Sequence, residues 1–378
     1  MEFEIKKEVF LHYLNQIQKI IPYKTFFPVY CYIKMTIKEN VLFLEGNNAN
    51  FVVKIKIEDK SLKTKEEGSL VLLGKNFFDI VKKIDFNFVK ISSLEDKFLI
   101  IKTDYSRYKL KLIELNNFPL NNFVFDYDNF FEIKTDLFKR IIEEIIIVTS
   151  KEKQKNVLTG VNLTYRSSSL IASATDSFRL GQKKIDLDIN CSDFDIIIPG
   201  KSLEELLKLL EQQKDDMVKI SITKKNFFLK TNSLDFQSSL LEGSYPQINL
   251  SKKNNLFNFF KINKNNLIKI LERVSLFLPK DRIFLDNVVE FIIDKSKKIK
   301  IFSNSEEIGN ALEEIETSEI LINEQTNVFF NIKHLEEILK IFPSEEITFS
   351  FENSFKPFLI ASEEEKTILY LISPFYMK

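Results

Sequence analysis

Apolar and polar residues alternate in Phe3-Glu4-Ile5-Lys6, and the alternation runs directly into a stretch whose apolar residues recur at helical spacing. The same passage returns as Phe131-Glu132-Ile133-Lys134 and again as Phe260-Lys261-Ile262-Asn263. At equivalent places beyond each opening Phe stand Phe10, Leu14 and Ile17; Phe138, Ile142 and Ile145; and Leu267, Leu271 and Val274. Steps of four and three residues put each trio on one helical face. The pattern therefore predicts a strand feeding an amphipathic helix three times over, at spacings of 128 and 129 residues.

A second motif recurs in register, beginning at Lys75, Lys201 and Lys333. Its apolar columns are Phe77, Leu203 and Leu335; Ile80, Leu206 and Ile338; Val81, Leu207 and Leu339; and Ile84, Leu210 and Phe342. These predict a second helix in each copy, near Lys75–Ile84, Lys201–Glu211 and at the matching place in copy three. The first helix of copy two is expected near Thr135–Thr149. Short alternating runs fill the remainder, among them Tyr32–Ile37, Val41–Glu45, Phe51–Ile57, Val89–Ser93, Phe98–Lys102 and Tyr108–Leu112 in copy one, and Val161–Tyr165 and Leu170–Thr175 in copy two. Asn116–Asn122 and Gly243-Ser244-Tyr245-Pro246 read as linkers. A repeat of this length is too long for a thin solenoid and suits whole domains. The expected domains are residues 1–126, 127–253 and 254–378, each a sheet with its helices on one face.

Composition narrows the picture without specifying it. Apolar residues make up 44% and charged residues 29%, as in a soluble globular chain, and no apolar run is long enough to span a membrane. The N-terminus carries no charged-then-apolar leader, which predicts a cytoplasmic protein. Cys31 and Cys191 fall in different copies within strand-like surroundings and read as reduced, buried apolar residues, with no disulfide or metal.

Lysine and arginine number 54, as do aspartate and glutamate, so any attraction for nucleic acid has to come from local placement. On the second helices, the side opposite the apolar columns carries Lys75, Lys201 and Lys333, then Lys82, Lys208 and Lys340. On the first helices, the equivalent side carries His12, Arg140 and Lys269. Lysine is a good helix former on any solvated face. Its return at every equivalent position favours sequence-independent contact with phosphates instead. No base-reading motif accompanies it.

One loop is more specific. Ala174-Thr175-Asp176-Ser177-Phe178-Arg179-Leu180 follows the strand through Ser173, and Asp-Ser there suits a tight turn, though Gly would be the better second residue; as an ordinary hairpin it would simply expose Arg179. The stretch resembles the Ala-Thr-Asp-Gly-His-Arg-Leu signature in the middle repeat of the bacterial DNA polymerase III beta subunit family, the sliding clamps. Asn76-Phe77-Phe78-Asp79-Ile80, Leu158-Thr159-Gly160-Val161, Tyr245-Pro246 and Ser373-Pro374-Phe375 match further family segments in order along the chain. The sequence departs from the family at Ser177 and Phe178, at Gln247-Ile248, and at Ser373 and Phe375, which replace methionines.

The resemblance implies an α+β fold of three tandem clamp domains, each with antiparallel sheets and two helices on the inner face. It implies a head-to-tail homodimeric ring around duplex DNA, with Lys24 joining the helix lysines and Arg140 at the bore. It also implies a peptide pocket lined by Leu158, Thr175, Ser177, Phe178, Arg179, Leu180, Pro246, Ser373, Pro374 and Phe375. The implied partners are the polymerase III catalytic subunit, the clamp loader and other proteins bearing a clamp-binding motif. For ring closure, two complementary edges are needed. Arg107, Lys109 and Lys111 alternate on one strand, and Glu306, Glu307, Glu313, Glu314 and Glu316 lie in the family's acidic interface segment.

An enzyme is disfavoured. The chain has no phosphate loop, dinucleotide fingerprint, nucleophile elbow or metal-spaced Cys/His set, and its two histidines, His12 and His334, lie in different copies. No cofactor is expected. A three-repeat scaffold that binds proteins without encircling DNA is the alternative.

Overall fold

The computed structural model describes residues 1–22, 24–119, 123–152, 154–248, 257–278 and 287–375. The linker read at Asn116–Asn122 lies partly outside these residues. Copy one contains β1 (Glu2–Lys6), α1 (Lys7–Ile20), β2 (Tyr32–Lys38), β3 (Val41–Asn47), β4 (Phe51–Ile57), β5 (Lys63–Glu66), β6 (Gly68–Leu73), α2 (Gly74–Lys83), β7 (Phe88–Leu94), β8 (Phe98–Lys102) and β9 (Arg107–Lys111). Copy two contains β10 (Phe130–Lys134), α3 (Thr135–Ile146), β11 (Gly160–Arg166), β12 (Ser169–Thr175), β13 (Arg179–Asp186), β14 (Phe194–Pro199), α4 (Gly200–Leu210), β15 (Met217–Ile222), β16 (Asn226–Lys230) and β17 (Leu234–Ser239). Copy three contains β18 (Asn258–Asn263), α5 (Lys264–Val274), β19 (Val288–Ile293), β20 (Lys298–Ser305), β21 (Gly309–Leu321), β22 (Thr326–Asn331), α6 (Ile332–Ile341), β23 (Glu346–Phe351), β24 (Phe358–Ala361) and β25 (Ile368–Ile372).

The predicted columns turn toward the core, with Ile80 and Leu207 only half-buried. The three trios on α1, α3 and α5 are all buried, as are Phe77, Leu203 and Leu335 on the second helices. In copy one, Phe3, Phe10 and Phe77 meet edge to face at 6.1 and 6.0 Å, so the opening strand and both helices share one aromatic core. Asn263 and Asn331 cap α5 and α6 by accepting the amides of Asn266 and His334, each at 3.0 Å. Helix α3 stops at Ile146, short of Thr149.

Repeats and packing units do not coincide. One compact unit comprises Met1–Arg140, Ile189–Ser192 and Ile198–Leu241. It holds a five-stranded sheet, β5-β1-β7-β8-β9, and an eight-stranded sheet, β10-β15-β16-β17-β4-β3-β2-β6. The other unit comprises Ile141–Asp188, Asp193–Ile197 and Glu242–Lys378, and is built on the sheet β14-β11-β12-β13-β25-β24-β23-β18-β21-β20-β19-β22. Both sheets of more than five strands run across a repeat boundary. Strand β17 pairs with β4, where the Phe51 and Phe236 rings stack at 5.4 Å. Strand β25 pairs with β13, bringing Gly181 opposite Tyr370.

These two joints are of one kind. The last strand of one copy adds to the third strand after the first helix of the copy before it. Two strands of the same classes stay open. Strand β9 is an edge of its sheet. Strand β21 pairs with β20 through Gly309–Glu316 and with β18 only from Thr317 onward, leaving the outer side of its first half without a strand among the described residues.

The cysteines correct the sequence reading. Cys31 ends the 3-10 turn Pro28–Cys31, and Cys191 lies between β13 and β14. Neither forms a disulfide, both are only half-buried, and neither is in a strand.

Candidate DNA-facing helices and peptide site

The basic positions lie where helical geometry placed them. Lys75, Lys82, Lys201, Lys208, Lys333 and Lys340 are all exposed on faces opposite the core, as are His12, Arg140 and Lys269, and Lys24 is exposed beyond α1. Lys208 pairs with Glu205 at 2.8 Å and Lys340 with Glu336 at 3.6 Å, each within its own helix. Such exposed pairs are worth well under about 1 kcal/mol and give way readily to a phosphate.

The peptide residues converge around the turn between β12 and β13. Asp176 Oδ1 accepts the amides of Phe178 and Arg179, both at 2.9 Å, and the Thr175 hydroxyl donates to the Arg179 carbonyl at 2.7 Å. These bonds hold Ser177 at φ 83°, a left-handed conformation that glycine adopts more readily. The phenol of Tyr245 accepts the Thr175 amide at 3.0 Å, and burial pushes its pKa up to about 12. Beyond β25, the Ser373 amide donates to the Phe178 carbonyl at 2.8 Å. The Phe178 and Phe375 rings then stack at 5.8 Å and 9°. Lys155 Nζ stands 5.6 Å from the centre of the Phe178 ring.

Leu180 lies on β13 opposite Leu371, and Pro374 is buried between Ser373 and Phe375. Leu158 is half-buried in the 3-10 turn Asn156–Thr159, and Pro246 is exposed next to Tyr245. The turn, Tyr245 and the segment after β25 are thus tied together, leaving one half-exposed aromatic pair at the surface.

Arg179 is not the exposed residue that the sequence suggested. It is only 6% exposed. Its Nε donates to Asp176 at 2.9 Å, and one terminal nitrogen reaches Glu337 at 2.7 Å and the Ile147 carbonyl at 2.8 Å. The other donates to the His334 carbonyl at 3.4 Å. Arg179 therefore supports the turn from below by tying it to the end of α3 and to α6.

The acidic residues of the interface segment are spread along its edge. Glu306 and Glu307 occupy the turn between β20 and β21. Glu313 and Glu314 are consecutive strand residues and so point to opposite faces. Glu313 already binds Arg273, with Nε at 2.7 Å, and Glu314 binds Lys298 at 3.2 Å. What distinguishes this edge is instead exposed Ile308 and Leu312, as Tyr108 does on β9. Arg107, Lys109 and Lys111 are exposed along β9 on one face.

Other buried groups gave no local signal. Lys183 is fully buried, with Nζ 2.5 Å from Glu144 and 3.8 Å from Glu365. The Tyr370 hydroxyl donates to the Glu144 carbonyl, and burial raises its pKa. His334 is buried on α6, where desolvation first and the charge of Arg179 second lower its pKa to about 4.

Comparison with known proteins finds relatives along nearly the whole chain. Profiles of the N-terminal, central and C-terminal domains of the DNA polymerase III beta subunit match residues 1–122, 132–247 and 254–376. The beta sliding clamp of Bacillus subtilis (strain 168) is 30% identical over 380 residues, covering 99% of each chain. The chain belongs to the beta sliding clamp family. As a member it acts in DNA replication as a sliding clamp, without catalysis of its own. The beta sliding clamp of a Staphylococcus epidermidis strain is 29% identical, with 99% of both chains covered. Among solved structures, the Bacillus subtilis DNA polymerase sliding clamp matches all of both chains with a TM-score of 0.93 at 29% identity. The beta chain of DNA polymerase III from Streptococcus pneumoniae matches equally fully, with a TM-score of 0.93 at 26% identity.

Proposed function

We propose that two copies of this chain close head to tail around duplex DNA, β9 of each pairing with Gly309–Glu316 of the other. The reading is carried by the open edges. They belong to the same two strand classes that already pair twice within the chain, and a heterologous joint needs two different, complementary edges. Tyr108 on β9, with Ile308 and Leu312 at the other edge, supplies apolar cover. Arg107, Lys109 and Lys111, facing Glu306, Glu307 and Glu314, add orientation.

The DNA contacts are Lys24, Lys75, Lys82, Arg140, Lys201, Lys208, Lys269, Lys333 and Lys340, all to phosphate, which leaves the ring free to slide. The turn at Thr175–Leu180, with Leu158, Tyr245, Pro246 and Ser373–Phe375, takes a short extended peptide. Arg179 anchors that turn to α6 and to the end of α3. The peptides come from the polymerase III catalytic subunit, the clamp loader and other clamp-binding proteins, in the cytoplasm. The domains of the ring are residues 1–126, 127–253 and 254–378.

Light scattering tests closure: a mass twice 44.5 kDa is expected. A ring loaded on nicked circular DNA should then be retained and should be lost once the circle is cut. A monomer at all concentrations, or retention on linear DNA, would favour a scaffold that never encircles DNA.

A further inference from the structure

The five-stranded sheet of the first unit turns Phe3, Ile5, Val89, Ile91, Leu99 and Ile101 into the core beneath α1. Its other face is basic. Strand register aligns Lys63, Glu4, Lys90, Lys102 and Arg107 in one row across all five strands. Glu4 is the single acid in that row, 3.7 Å from Lys63 and 3.4 Å from Lys90. Lys90 and Lys102 stand directly opposite each other on β7 and β8, a like-charge pairing that costs stability and that Glu4, one carboxylate among four cations in the row, offsets only in part. Lysine on an edge strand guards against aggregation. Strands β7 and β8 are interior, so that explanation does not reach these two.

Aromatic rings gather at the same place. A cavity of about 330 Å³ is lined by Phe86, Phe88, Lys90 and Lys102, with Glu4 and Asp104 also on its wall. Tyr105, in the turn after β8, is 88% exposed and lies 5.7 Å from the Phe86 ring. Phe88 is exposed as well. The cavity is at the low end of ligand-site volumes, with room for about one nucleotide.

We propose that this sheet face is a second nucleic-acid site, specific for single strands. Lys90 and Lys102 bind neighbouring phosphates, while Phe86, Phe88 and Tyr105 stack on unpaired bases. A duplex hides its base faces and has no use for the rings, and an acidic peptide gains nothing from them. The site lies on the opposite face of the sheet from α1 and needs no ring closure to form.

Fluorescence anisotropy of a labelled oligothymidylate with the full chain tests the proposal. Lys90→Gln with Lys102→Gln should weaken binding at least tenfold and make the salt dependence shallower by about 1.4, the equivalent of two single-strand phosphates. Tyr105→Ala should weaken it at least fivefold. Lys224→Gln with Lys356→Gln, two exposed lysines outside both nucleic-acid surfaces, should leave it unchanged. All of these positions are exposed, so thermal melts should match the parent, and removing the opposed lysines should if anything raise the melting temperature. The proposal is overturned if the sheet variants bind normally, or if the control variant loses as much binding as they do. It is equally overturned if Tyr105→Ala has no effect while the lysine variant does, or if polyglutamate or duplex displaces the oligonucleotide as well as unlabelled single strand does. The first of those would leave a plain anionic contact, the second an acidic protein or ordinary duplex as the partner.

Discussion

Replacing Arg179 with Ala removes a guanidinium that serves two carboxylates and two carbonyls from within the protein. Stripping one partner from a buried ionic cluster costs about 3–5 kcal/mol. The structure favours the lower end. Asp176 keeps two backbone amides through its other oxygen, and half-buried Glu337 can rehydrate. A loss of about 3 kcal/mol follows, with Asp176 Oδ2 and the carbonyls of Ile147 and His334 left short of donors. With a urea slope of roughly 1–3 kcal/mol per molar, the midpoint for the unit containing Arg179 should fall by about 1–3 M, read by circular dichroism on the full chain. Arg179→Lys should recover only part of this, because one ammonium cannot span what a planar fork spans. The turn itself is held by Thr175, Asp176 and backbone atoms. A clamp-binding peptide should therefore lose less than tenfold in affinity for the folded Arg179→Ala protein. An unchanged midpoint with peptide binding abolished would refute this reasoning and make Arg179 a direct peptide ligand.

Three further outcomes are expected. A Cβ on Gly181 would stand 2.7 Å from the Tyr370 ring, so Gly181→Ala should overpack the β13–β25 joint and cost about 1–3 kcal/mol in the same denaturation assay. His334 has a folded-state pKa of about 4, below its unfolded value, so the unfolded chain binds the extra proton. Its contribution to stability is thus fully present above about pH 6.5 and lost as pH falls toward 4, and His334→Gln should flatten that slope in melts taken across the window. Phe375→Ala removes one ring of the surface stack and should weaken a fluorescent clamp-binding peptide more than fivefold while barely changing the melting temperature.

Periodicity exposed what is local. Helix faces follow from spacing alone, so the apolar columns and the lysines opposite them were legible before any coordinates. Sheet joints were not, because β17 meets β4 and β25 meets β13 through backbone bonds that any alternating strand can make. Register is written in no single segment. The burial of Arg179 and Lys183 was hidden for a related reason: a basic residue beside a turn or on a strand carries no local sign of burial, since its carboxylates, Glu337 on α6 and Glu144 on α3, arrive from distant parts of the chain. Glu313 and Glu314 are neighbours in the sequence, yet the strand turns them to opposite faces, where they meet different partners.

The likeness between the internal joints and the proposed intermolecular one makes subunit number a matter of where translation stops. If each joint is carried by strand edges, the peptide linkers contribute continuity and local concentration rather than recognition. A chain cut after its second repeat would present the same kinds of edge and would need three copies where this one needs two. Circular permutation at a repeat boundary would likewise relocate the open joint without inventing a new interface.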